Sequence, residues 1–100
     1  MAFGKARSRD IEEFGVALAR DFSKAYSLAD ASSDRKVLKK LARAIDATCD
    51  RAATFQKDRK LGVYGKAKLG TAFKWEMKSL GYRDDFIDEL TQNLLLHLSG

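Results

Sequence analysis

No proline occurs anywhere in this chain of 100 residues, and its apolar residues recur in steps of three and four. Proline breaks helix interiors because it lacks the amide donor and its ring collides with the preceding turn. Its absence permits long helices, and the 3.6-residue period places them. No run alternates with period two and β-branched residues are scarce, so no strand is expected. The resulting fold class is all-α, a compact antiparallel bundle of three to four helices joined by short connections.

The first helix is expected to open at Asp10, with Glu13 three residues on in capping-box spacing. Ile11, Phe14, Leu18, Phe22 and Ala25 share one face, and the helix should end near Tyr26 to Leu28. Residues 29–34 read as a polar linker ending in good N-cap types. A second helix of about 24 residues, roughly 36 Å long, follows Ser33 or Asp34. Its apolar stripe is Val37, Leu41, Ala44, Ile45, Thr48, Ala52 and Phe55, with Leu38 and Cys49 beside it. Two glycines and five charges make residues 57–66 an expected loop. The third helix buries Leu69, Ala72, Phe73, Met77 and Leu80. It ends at Gly81 in a left-handed cap, after which Tyr82 can fold back toward Met77. The fourth starts at Asp84 or Asp85, where acids suit the positive end of the helix dipole. Its stripe is Ile87, Leu90, Leu94, His97 and Leu98.

This length suits a single domain spanning 1–100, with residues 1–9 expected as a flexible basic arm. The one cysteine, Cys49, cannot form an internal disulfide and fits a reducing compartment. The first residues lack the apolar run of a secretory signal, and no stretch approaches the ~20 apolar residues of a membrane span. A cytoplasmic protein with no membrane partner is the expectation.

Charge is unevenly distributed. Residues 35–82 carry thirteen basic and four acidic side chains, whereas residues 83–100 carry one and four. Such asymmetry suits an anionic partner, or a homotypic contact between the middle of one copy and the tail of another. It also suits lysines that merely solvate helix faces.

Motifs for chemistry are weak. The segment Gly62-Val-Tyr-Gly65-Lys66 superficially resembles a phosphate loop, but Lys60 stands where a glycine is needed and Ala67 where Ser or Thr would hold magnesium. The same residues match the GxxG clamp of KH domains, which operates in a mixed helix–sheet fold. Cys49 lies in an alanine-rich stripe and reads as a small buried hydrophobe, and His97 near the end reads as structural. Asp84, Asp85, Asp88 and Glu89 lack calcium-loop spacing, and zinc would need more Cys or His ligands. No catalytic residue, metal or cofactor is therefore expected. The third and fourth helices have helix-turn-helix proportions, but Asp84, Asp85 and Asp88 would meet phosphate where a DNA reader places Arg or Asn.

The most informative feature is a second stripe on the third helix. At 100° per residue Trp75 lies away from the apolar face, on the side of Lys68, Lys78 and Tyr82, and of Tyr64 if the helix starts early. Trp and Tyr concentrate interface energy. The leading expectation is a noncatalytic interaction module (an adaptor, regulator or toxin-neutralising partner) that binds a protein or a second copy. Tyr64, Trp75 and Tyr82 would anchor it, while Lys68, Lys74 and Lys78 steer an acidic partner. The same stripe could instead pack inside the bundle. The alternative function is a nucleic-acid-binding regulator that sets Lys36, Lys39, Lys40 and Arg43, or Lys57, Arg59, Lys60 and Lys66, against phosphates. In length, positive charge and helical layout the chain resembles small immunity proteins for bacteriocins, a likeness of architecture that no motif carries.

Overall fold

Four amphipathic segments give four helices. The computed structural model describes residues 8–27 and 34–99. It contains α1 (Ser8–Ala25), α2 (Arg35–Arg59), α3 (Val63–Ser79) and α4 (Asp84–Ser99), with no strand among the described residues. The all-α bundle expected from the periodicity is the observed fold. Of the expected arm, residues 1–7 lie outside the described residues, while Ser8 and Arg9 already belong to α1. Asp10 therefore sits in the first turn rather than at the cap, and Glu13 pairs with Arg9. The expected linker also lies outside the described residues, except Asp34. Its carboxylate caps α2 by accepting from the Lys36 amide at 3.1 Å.

α1 packs on α3 and α2, and α4 packs on the same two helices, closing a ring in the order α1, α3, α4, α2. The packed pairs that are adjacent in the chain, α1 with α2 and α3 with α4, run antiparallel: Asp21 and Phe14 of α1 meet Arg51 and Phe55 of α2, and Lys74 and Lys78 of α3 meet Asp88 and Asp84 of α4. α1 and α3 run parallel. Glu12 with Lys68, Arg20 with Glu76 and Tyr26 with Tyr82 are each separated by 56 residues. Gly15 lets these two backbones approach. A Cβ there would lie 2.8 Å from the Ala72 Cβ and 3.0 Å from the Leu69 carbonyl.

The core is centred on Leu18, Phe22, Leu69, Phe73, Met77, Ile87, Leu94 and Leu98, all fully buried. Burial of each such side chain contributes about 1.5–3 kcal/mol. In α2 the buried positions are small (Ala44, Thr48, Cys49 and Ala52), with Val37, Leu41, Ile45 and Phe55 packed at the margin. Tyr26, not Ala25, completes the α1 stripe. His97 is exposed rather than buried, because Thr91 and Leu94 hold the inward positions of α4. Its Nδ1 lies 2.9 Å from the Asn93 carbonyl, and since a carbonyl only accepts, that nitrogen carries the proton.

Both turns around α3 use one device. Gly81 (φ 95°) and Lys60 (φ 51°) are left-handed, and each turn closes with a six-residue bond, Tyr82 N–H to Met77 and Leu61 N–H to Gln56. The expected loop thus shrinks to Lys60–Gly62, and Gly65 lies within α3 against Leu61 and Ile11. Lysine carries a Cβ that disfavours this conformation, and glycine does not. Lys60→Gly should therefore stabilise the fold by about 1 kcal/mol, raising the melting temperature by roughly 4–8 °C. A thermal melt followed by circular dichroism checks it.

Candidate functional site on the α1 and α3 face

α3 is the helix whose outer side was in question. Trp75 is 61% exposed and Tyr64 66% exposed, so neither belongs to the core. Tyr64, Lys68, Thr71, Trp75 and Lys78 fall within a strip about 80° wide at 100° per residue. The two aromatics stand eleven residues apart, roughly 16 Å along the axis. Beside them runs a groove of about 420 Å³ shared with α1, lined by Glu12, Val16, Lys68, Thr71, Trp75 and Glu76. Lysines frame both rings: Lys78 Nζ lies 5.5 Å from the Trp75 ring and Lys68 Nζ 5.6 Å from the Tyr64 ring.

The face is charge-balanced rather than basic. Lys68 pairs with Glu12 at 3.1 Å, and this bond to the carboxylate holds its ammonium above the usual range. Arg20 pairs with Glu76 at 2.9 Å across the groove. Lys78 is 3.8 Å from Asp84, and Lys74 is 3.2 Å from Asp88. Exposed pairs of this kind stabilise by about 0–1 kcal/mol. They do leave the three lysines expected to steer an acidic partner already matched within the chain.

Tyr82 does not join this face. It is 5% exposed and sits in a box of rings with Phe22, Tyr26 and Phe86, at centroid distances of 5.6 to 6.1 Å. Its hydroxyl donates to the Tyr26 carbonyl, tying the ends of α1 and α3 together. The left-handed Gly81 rotates the chain before residue 82, so counting at 100° per residue no longer applies there. The fold-back toward Met77 wins over the outer stripe. Glu12, Val16 and Glu76, which complete the groove, were not legible as site residues, because nothing in the sequence sets the offset between α1 and α3.

Burial pushes the Tyr82 phenol up from its ordinary 10.0, against a smaller opposing effect of a hydrogen bond with Ser23. Burial, then Asp46 and Asp50, push the Cys49 thiol up from 9.0. In both cases the folded chain keeps a proton that the unfolded chain loses first. Their contribution is therefore complete below pH 9 and falls as pH rises through 9 and 10 toward the raised values. Tyr82→Phe should cost about 1–3 kcal/mol at neutral pH by unpairing the Tyr26 carbonyl and should flatten the loss of stability above pH 10. Urea melts from pH 7 to 11 check both.

The basic residues divide into two groups. Lys36, Lys39, Lys40 and Arg43 line one groove against Ala25, near the start of α2. Arg59 and Lys60 border a pocket of about 310 Å³ with Tyr64 and Lys68 at the α2–α3 corner; exposed Lys57 and half-buried Lys66 lie outside its lining. Arg43 and Arg59 are sixteen residues apart on α2, roughly 24 Å, so the basic middle segment is two patches. Among the described residues no cluster of His, Cys, Asp and Glu could hold a metal ion, and no helix is long and apolar enough to cross a membrane. Comparison with protein families, curated proteins and solved structures finds no match to this chain.

Proposed function

We propose that this chain is a noncatalytic interaction module, an adaptor, regulator or toxin-neutralising partner, whose working surface is the outer side of α3 with the adjoining edge of α1. The observation that carries the reading is the exposure of Trp75 and Tyr64 on one rigid helix face. Large aromatics held out of the core, beside a groove and inside a rim of matched charges, have the anatomy of a protein interface. Covering the exposed part of either ring would release about 3 kcal/mol by area. Two such anchors offset much of the roughly 4–15 kcal/mol lost on association, and the rim supplies the rest. The ion pairs already closed on this face favour a partner that brings an apolar pocket rather than an acidic stripe. A noncatalytic role accords with a fully buried Cys49 and an outward His97 bonded to its own helix.

The test is capture from lysate by tagged protein, after nuclease, with Trp75→Ala in parallel and sedimentation of the purified chain alone. A stoichiometric protein, or a second copy, held by the native chain and released by the variant is the expected result. Equal capture by both chains would contradict the reading.

A further inference from the structure

The first half of α2 crowds basic side chains where the field of a helix disfavours them. No acid occurs between residues 35 and 45, and Arg35, Lys36, Lys39, Lys40 and Arg43 crowd that stretch. The N-terminal end of a helix already carries roughly half a positive charge from its aligned peptide dipoles, which favours acids there. α1 and α4 place acids in their first turns, whereas α2 and α3 have none there, and of these two only α2 gathers five basic side chains within its first nine residues. The Asp34 carboxylate is occupied in capping.

Positions 36, 39, 40 and 43 share one face and span roughly 10 Å along the axis. They line a groove of about 400 Å³ whose floor is Ala25, Ala44 and Ala47. Lys36, Lys39 and Arg43 are exposed and make no ion pair with a described residue, in contrast to Lys68, Lys74 and Lys78 on the α3 face. The fold thus concentrates positive charge where its own helix field opposes it. Such a local conflict without structural return points to function.

We infer that this groove is a docking surface for the sugar–phosphate backbone of duplex nucleic acid, independent of the α3 face. Phosphates are the anions that a row of long cationic side chains neutralises without further contacts, and release of condensed counterions drives the binding. A protein partner would need a desolvated anchor, and the alanine floor offers none. Among the described residues the groove is lined by no Asn, Gln or aromatic side chain that would read or stack bases, so binding is expected to be independent of sequence.

The experiment is fluorescence anisotropy with a short labelled DNA duplex, titrated across salt. Three to four neutralised phosphates predict a slope of about −3 for log K against log salt, and so a loss on the order of 60-fold between roughly 50 and 200 mM. Lys36→Glu, Lys39→Glu and Arg43→Glu together should abolish binding while the melting temperature stays level or rises, because acids suit the start of α2. Each single change to Gln should reduce the slope by about 0.9. Trp75→Ala should bind duplex as the native chain does. No binding at low salt, a salt-independent affinity, or full binding by the triple variant would overturn the inference. Loss of binding in a Lys57→Gln, Arg59→Gln and Lys60→Gln variant, with the α2 set dispensable, would overturn the location. Equal affinity and slope for polyglutamate would overturn the partner class in favour of an acidic protein.

Discussion

A Gly15→Leu chain should lose more than about 3 kcal/mol of its stability, out of a total of roughly 5–15 for a domain of this size. The cause is the seam between α1 and α3. Even one added carbon at position 15 meets the Ala72 Cβ at 2.8 Å, the Leu69 carbonyl at 3.0 Å and the Phe73 amide at 3.2 Å. Two of these are backbone atoms of α3, so no change of rotamer relieves the contact. A leucine must push the helices apart along the contact that also aligns Glu12 with Lys68 and Arg20 with Glu76. Gly15→Ala is a milder version: overpacking costs about 1–3 kcal/mol, against about 1 gained in helix propensity. Adding Ala72→Gly to it should recover part of the loss, because Ala72 supplies the closest atom. Chemical denaturation of the four chains measures this. A leucine variant as stable as the native chain would mean that the helices are not this close.

Trp75→Ala should weaken partner binding by more than about 2 kcal/mol, roughly 30-fold, while changing stability by no more than about 1 kcal/mol. The second half distinguishes the variant from an ordinary core truncation. Trp75 is mostly in water, and what it contributes to the free fold is chiefly its contact with Lys78, worth about 0.5–1 kcal/mol at an exposed site. Tyr64→Ala should act in the same direction. Tyr82→Ala should behave in the opposite manner, collapsing the ring box of Phe22, Tyr26 and Phe86 and destabilising the fold. Isothermal titration with the captured partner and a thermal melt of each variant separate these outcomes.

The periodicity of the sequence located all four helices, because burial of one face is a property of each segment alone. Phe22, Phe73, Leu94 and Leu98 fall on their expected stripes for that reason. The helix ends were legible where a special residue marks them, as Gly81 does. They were misread where an ordinary one does the work, as Lys60 does in a left-handed turn. Nothing in its own segment marks Gly15, since the need for it lies in α3, more than fifty residues away. The same non-local cause hid Glu12 and Val16 from the candidate site. Tyr82 carried two incompatible expectations, an outer stripe and a fold-back, and only the direction of the chain after Gly81 decides between them.

Trp75 is the single tryptophan of the chain, so its intrinsic emission reports on the proposed surface without any label. The most direct measurement is that emission, with iodide quenching, in dilute protein and again on adding the captured partner or raising the protein concentration. A water-exposed, readily quenched spectrum that shifts to the blue and becomes protected on association is the predicted result. A blue, protected spectrum in the dilute chain, or an exposed spectrum that association leaves unchanged, would contradict the account.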